Sequence, residues 1–236
     1  MTAPLPLAAL LFDLDGTLVD TAPDLTAAAN HMLQALGRAP FDEATVAGWI
    51  GDGVPRLIKR ALTGERFGEP DPALFTEAES LYGHYYASHV ADRSVLYPHV
   101  LTTLATLRER GFRLACVTNK AMRFTDPLLV ALSLKPYFDV VLSGDSLPRA
   151  KPDPLPLQVA ADRLTVMREG AALVGDSAND MRAAKAAGMR ALAVSYGYNH
   201  GVDLQSLGAT VITEDFGKLP DLVRFDEQFL LSKVMP

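Results

Sequence analysis

The sequence holds a single cysteine, Cys116, so no disulfide can form within the chain and a reducing cytoplasm is its expected setting. Cys116 lies in the apolar run Leu114-Ala115-Cys116-Val117 and reads as a small core residue rather than a reactive thiol. Basic charge is also scarce. There are 22 Lys and Arg against 28 Asp and Glu, a net charge of -6, which argues against a nucleic-acid or anionic-membrane surface. A small anionic substrate stays open, because one cation or a bound metal reverses the field locally. No apolar run is long enough to cross a bilayer, and no basic region precedes the first one, so neither a membrane span nor a signal peptide is expected. Neither GxGxxG nor GxxxxGK[ST] occurs, which leaves dinucleotide and P-loop readings without support. The five histidines lack metal-ligand spacing, and none is assigned a catalytic role.

What the chain does have is alternation. Short apolar, β-compatible runs recur at Leu7–Phe12, Phe112–Val117, Phe138–Leu142, Ala171–Val174, Arg190–Val194 and Ala209–Ile212. Amphipathic stretches lie around 100–110, 124–133, 154–164 and 178–187. Parallel strands need crossover helices, so this order predicts an α/β protein with a Rossmann-like parallel-sheet core. One region breaks the rhythm. From Thr21 to Asp92 the periodicity is helical, over Asp24–Leu36, Asp42–Ile50, Val54–Leu62 and Pro72–His89. The expected organisation is therefore a core of residues 1–20 and 93–236, with an all-helical insert, 21–92, after the first strand.

The strongest chemical signal closes that first strand: Phe12-Asp13-Leu14-Asp15-Gly16-Thr17-Leu18. Residues two apart in a strand point to one side, so Asp13 and Asp15 can converge. Gly16 allows a sharp turn and close approach to an anion, and Thr17 adds a hydroxyl and an N–H as candidate substrate contacts. An EF-hand reading fails, since its glycine would fall at Leu18 and its closing Glu at Asp24. Three further clusters follow later strands: Thr118-Asn119, Lys151-Pro152-Asp153-Pro154, and Gly175-Asp176-Ser177-Ala178-Asn179-Asp180. Singly, each could be a helix cap or a solvated side chain. Together they fall at the carboxyl edge of one sheet, where open parallel sheets bind ligands. Four carboxylates (Asp13, Asp15, Asp176, Asp180) cannot share a site with a phosphate unaided. Two like charges about 4 Å apart repel by roughly 4 kcal/mol at an effective dielectric near 20. A hard divalent cation is needed, and Mg2+ suits a site that also holds phosphate. Lys151 would offset remaining charge, and Thr118 and Asn119 would hydrogen-bond phosphoryl oxygens.

These four segments, in this order, resemble the haloacid dehalogenase-like phosphatases across essentially the whole α/β part. The resemblance implies Asp13 as a nucleophile forming an aspartyl-phosphate and Asp15 as general acid, then base. It implies Mg2+ on Asp13, the backbone carbonyl of Asp15, and Asp176, with Asp180 supporting the metal shell and Thr118 and Lys151 on the phosphate. The insert corresponds to the family's small cap, which closes over the site. Asp15 separates the chain from the dehalogenases proper, which lack the second acid and need no metal. Lys59, the only lysine of the insert, reads as solvated rather than as a Schiff-base lysine.

Within this superfamily three segments resemble the phosphoglycolate phosphatases: Trp49-Ile50-Gly51-Asp52-Gly53 with Leu57 and Arg60-Ala61-Leu62, Gly144-Asp145-Ser146-Leu147-Pro148, and Tyr196-Gly197-Tyr198-Asn199-His200-Gly201. The resemblance implies 2-phosphoglycolate as substrate, with Gly53 and Arg56 as candidate contacts for its carboxylate. A phosphatase or phosphomutase of sugar phosphates is the runner-up, and a non-catalytic phosphate-binding protein the third reading. The expected partner is a small anionic phosphate ester, with no nucleic acid and no membrane, and the chain is expected as a monomer or homodimer.

Overall fold

The computed structural model describes residues 3–231. The first apolar stretch, expected as one strand, bends at Ala8 and gives two, β1 (Leu5–Leu7) and β2 (Ala9–Phe12). The chain continues through β3 (Val19–Asp20), α1 (Ala22–Ala35), α2 (Glu43–Ala47), α3 (Val54–Thr63), α4 (Pro72–Ser88), β4 (Val95–Leu96), α5 (Val100–Glu109), β5 (Arg113–Val117), α6 (Met122–Ala131) and β6 (Val140–Leu142). It ends in α7 (Leu155–Leu164), β7 (Ala171–Gly175), α8 (Ala178–Ala187), β8 (Arg190–Val194), β9 (Val211–Thr213), α9 (Leu219–Leu222) and β10 (Val223–Phe225).

Six strands form one sheet in the order β6-β5-β2-β7-β8-β9, every pair parallel. Successive side chains of a strand face opposite sides, and here both sides are covered. Leu10 and Phe12 of β2, Leu114 and Cys116 of β5, and Val174 of β7 share a cluster with Leu104 of α5 and Phe124 of α6. Leu11, Ala115 and Leu173, one residue out of step, pack with Leu157 of α7 and Met181 of α8. That two-sided burial is why these strands read as unbroken apolar runs. Cys116 is fully buried, as expected, and burial pushes its thiol well above the ordinary range.

Strand order reverses at β2, with β5 and β6 on one side and β7 to β9 on the other. A crevice opens at the carboxyl end of such a switch point. Asp13 follows β2, Thr118 follows β5 and Asp176 follows β7, so the sheet itself gathers these residues. The C-terminal part adds one feature the sequence did not suggest: β10 pairs in parallel with β1, apart from the main sheet.

Between β3 and β4 all regular structure is helical. Asp42 caps α2 by accepting from the Thr45 N–H at 2.7 Å, and Asp71 caps α4 by accepting from Ala73 and Leu74. α1 packs on α4, α2 and α3. The strands that lead into and out of this helical segment pair antiparallel, Val19 with Leu96 and Asp20 with Val95. Buried Asp24 fastens the return crossing to α1, accepting from the N–H groups of Arg93 and Ser94 and the Ser94 hydroxyl at 2.7–3.0 Å.

Candidate active site

Asp13 is held by backbone and side chain together. Its N–H donates to the Val174 carbonyl at 2.9 Å, continuing the β2–β7 ladder one residue past the strand. Its Oδ1 accepts from the Leu14 N–H at 2.8 Å and lies 2.9 Å from Lys151 Nζ. No hydrogen bond from the described residues falls on Oδ2. Lys151 is 4% exposed and also donates to Asp180 Oδ1 at 2.7 Å. Asp180 Oδ2 accepts from the Ser177 N–H and hydroxyl, which fixes it on the first turn of α8. Asp176 accepts from the Thr17 hydroxyl at 2.7 Å and from the Tyr198 N–H at 2.6 Å.

Oxygens of Asp13, Asp176 and Asp180 lie within 4.8 Å of one another, all buried. Three carboxylates and one ammonium leave two negative charges uncompensated. The carboxyls register the deficit. Burial, opposed by Lys151 and reinforced by Asp180, raises Asp13 to about 7. Burial and the charges of Asp180 and Asp13 push Asp176 well above the usual carboxylate range. Lys151 moves the other way to its burial: the two carboxylates outweigh desolvation and hold its ammonium above its ordinary pKa. A cluster of hard oxygen donors short of two positive charges is what a divalent cation fits.

Asp15 stands apart from this cluster. Its carboxylate accepts from the Thr21 hydroxyl at 2.8 Å and from Lys120 Nζ at 3.0 and 3.2 Å. The sequence reading missed Lys120, although it follows Thr118-Asn119 directly at the same strand end. It is 2% exposed, with its ammonium 4.9 Å from the centre of the Tyr86 ring. Thr17 is fully buried and serves Asp176, so the expected contact of its hydroxyl with substrate is replaced by a structural one. Gly16 has φ +84, and a Cβ there would lie 2.4 Å from Asp176 Oδ2, so only glycine lets the turn pack against that acid.

Asp13, Asp15, Thr118 and Lys120 form the floor of a cavity roofed by Leu25, Ile50, Gly51, Gly53, Val54 and Leu57. About 30 Å³ is free inside it, room for roughly one or two water molecules. The roof loop is tied to the α/β part by side-chain amides. Asn119 Nδ2, expected on phosphate, donates to the carbonyls of Gly51 and Lys151 at 3.2 and 2.9 Å. Asn179 Nδ2 donates to Gly51 O and Asp52 Oδ1, and His200 Nε2 lies 3.0 Å from Ile50 O. Gly53 takes φ +83 at the start of α3. The structure does not bring Arg56 to the cavity. It pairs with Glu69 at 3.0 Å, and Lys59 pairs with the same carboxylate at 2.5 Å, because α3 turns these residues away from the apolar face that carries Val54 and Leu57.

A parallel sheet with these acids at its switch point defines a class, and the chain belongs to it: the family profile of haloacid dehalogenase-like hydrolases matches residues 10–194. Among its relatives, the phosphoglycolate phosphatase of Nitrosospira multiformis is 48% identical over 224 residues, covering 95% of this chain and 99% of that one. The crystal structure of a predicted phosphoglycolate phosphatase from Haemophilus somnus matches with a TM-score of 0.85 at 33% identity, over 91% of this chain and 96% of its own. CbbY from Rhodobacter sphaeroides, solved in complex with phosphate, matches with a TM-score of 0.76 at 28% identity, over 90% and 96% of the two chains.

Proposed function

We propose that the protein hydrolyses 2-phosphoglycolate to glycolate and inorganic phosphate through an aspartyl-phosphate on Asp13. The observation that carries this reading is the cavity floor, where Asp13 is fixed through Oδ1 while Oδ2 is spared, with Lys151 against it. An oxygen held in place yet unbonded is a nucleophile aimed in advance. Asp13 attacks phosphorus, and the bond to the glycolate oxygen breaks as Asp15 gives that oxygen a proton. Asp15 then takes a proton from water, whose oxygen attacks the same phosphorus, releasing phosphate and restoring the Asp13 carboxylate. Lys120 and Thr21 orient Asp15 for both transfers, while Lys151 and Thr118 hold phosphoryl oxygens as they gain charge.

Mg2+ is the cation of this reading: Asp13, Asp176 and the Asp15 carbonyl would hold it with support from Asp180, and it supplies charge neutralisation for the phosphoryl group. Residues 21–92 are the cap, and 1–20 with 93–236 the catalytic core. The apolar roof close above the acids favours a small ester over a bulky one. The substrate carboxylate finds donors at the start of α3, which has no side-chain cap and so leaves the N–H groups of Val54 and Arg56 available, Pro55 between them having none. Among the described residues no helix is long and apolar enough to cross a membrane, and we place the enzyme in the cytoplasm, as a monomer or homodimer.

The test is release of inorganic phosphate by the pure protein, with and without Mg2+, from 2-phosphoglycolate and a panel of sugar phosphates ranked by kcat/KM. The expected result is Mg2+-dependent turnover with 2-phosphoglycolate first. Rates indifferent to the cation would sink the chemistry, and a sugar phosphate at the head of the panel would sink the substrate.

A further inference from the structure

The segment Tyr196-Gly197-Tyr198-Asn199-His200-Gly201 has no part in the reaction just derived, yet Tyr198 touches both halves of the machinery. Its backbone N–H donates to Asp176 Oδ2 at 2.6 Å. Its hydroxyl donates to Asp20 Oδ1 at 2.6 Å and accepts from the N–H groups of Thr21 and Ala22, both at 2.9 Å. One donor and two acceptor lone pairs exhaust what a phenol can offer. Asp20 ends the strand that leaves the core, and Ala22 opens α1. The hydroxyl thus stands at the point where the helical segment begins, next to Thr21, whose own hydroxyl reaches Asp15.

The first N–H groups of a helix lack partners within it and are ordinarily served by the side chain of the N-cap residue. Thr21 occupies that position in α1 but makes no capping bond. Its hydroxyl is committed to Asp15 Oδ1 at 2.8 Å instead. From another part of the chain, Tyr198 accepts from the N–H groups of Thr21 itself and of Ala22, the latter also 3.3 Å from Asp20 Oδ1. The local packing admits little adjustment. A Cβ on Gly197 would lie 2.2 Å from the Gly16 carbonyl, and Tyr196 donates to the Thr17 carbonyl at 2.8 Å. Loop and Asp13–Thr17 turn are therefore locked together, with Tyr198 reaching past them to α1.

We propose that Tyr198 is a positioning residue that caps α1 from the catalytic core, so that the start of the helical segment is registered against Asp176 and the Thr21 hydroxyl stays free to aim Asp15. The proposal rests on the phosphatase reading for its kinetic consequence, but not for its structural one. Cap placement and acid alignment are then one event: displacing the first linker withdraws Thr21 from Asp15 and the phenol from α1 together.

Tyr198→Phe isolates the hydroxyl, since the ring and the N–H to Asp176 remain. Hydrogen exchange on the substrate-free protein should show protection at the Thr21 and Ala22 amides reduced about tenfold or more, with β5 and β7 amides unchanged. On the ester that the wild type turns over best, kcat should fall about tenfold while KM stays within about threefold. Mg2+ affinity, measured by calorimetry without substrate, should stay within about twofold. Thr21→Val, which removes only the hydroxyl on Asp15, should reproduce the fall in kcat without the change in exchange at Ala22. Unchanged exchange at both amides would overturn the proposal, as would a kcat within twofold of wild type. A fall in Mg2+ affinity matching the loss of kcat would also overturn it, by moving the role of Tyr198 to the metal site. A wild type inactive on 2-phosphoglycolate would remove the substrate assignment and leave the exchange result to decide this one.

Discussion

The edge of the sheet and the loop that roofs it are built on opposite principles. At the edge, Asp13, Lys151, Asp176 and Asp180 are all at most 8% exposed, and charge is packed until it exceeds what the protein can neutralise. In the roof, the side chains that face the cavity are apolar, and the polar groups are peptide units. The cation beneath that loop, Arg60, is spent on shape: it donates to the carbonyls of Trp49 and Arg66 and pairs with Asp52. On the proposed function, chemistry is carried by side-chain charge where the sheet ends, and recognition would fall to the backbone of a loop whose form is held from behind. A substitution at the edge should change a charge balance, and one in the roof should change a shape.

The largest expected effect is at Asp13. Asp13→Asn keeps size and most contacts but removes the attacking carboxylate, so kcat should fall by roughly ten-thousand-fold or more. Intact mass measurement during turnover checks the assignment, because the adduct of one phosphoryl group should vanish with it. Substantial residual turnover would mean that the edge does not work through this carboxylate, and the contrast with the roof would lose its chemical half.

Next in size is a dependence of stability on pH that the roof should not share. Burial holds Asp13 near 7 in the folded, metal-free protein, against 3.8 for an unperturbed carboxyl. Below about pH 4 the proton is bound in both folded and unfolded chains, and the charge costs nothing. Between about pH 4 and 7 the unfolded chain has lost the proton that the folded one keeps, so stability falls as pH rises. At roughly 1.4 kcal/mol per pKa unit the loss from Asp13 approaches about 4 kcal/mol, and Asp176 acts in the same direction. Denaturant melts from pH 4 to 8 with a chelator should show this decline, and Mg2+ or Asp13→Asn should flatten it. A metal-free protein whose Asp13-dependent stability rises over that window would contradict the charge deficit.

The same division governs how far the sequence could be read. Asp13, Asp176 and Asp180 were legible because strand ends in a parallel sheet are fixed by topology, so short motifs in order imply one location. The helices of residues 21–92 were legible from their periodicity, with α3 and α4 starting where Val54 and Pro72 suggest. Lys120 was not: a lysine after a strand reads as solvated, and only the fold shows it sealed against Asp15 and Tyr86. Thr17 and Asn119 were placed near the site but given to the substrate, since a motif does not say which hydrogen bond a hydroxyl or amide has already made. Tyr198 was beyond reach for the same reason, the three partners of its hydroxyl lying more than 170 positions away in sequence.

Arg56 and Arg60 test the roof most finely, because both are arginines of α3 one turn apart and the sequence favoured the first as a substrate contact. Arg56 is tied to Glu69, which is open to solvent and also held by Lys59. Arg56→Gln should therefore leave KM for 2-phosphoglycolate within about twofold and leave stability unchanged within error, as exposed pairs contribute little. Arg60 is 4% exposed, and Arg60→Met would take a donor from the carbonyls of Trp49 and Arg66 and leave Asp52 to Asn179 and solvent. Losing a buried arginine whose partners stay partly solvated costs on the order of 1–2 kcal/mol. Part of that loss should appear as a KM raised about tenfold, because the loop that presents Gly51 and Gly53 would lose its support. The ratio of the two KM effects is the decisive quantity, measured on folded protein at saturating Mg2+. If Arg56→Gln proved the more damaging, the roof would be reading its substrate with a charged side chain in an arrangement that frees Arg56 from Glu69, and the two regions would differ in exposure rather than in principle.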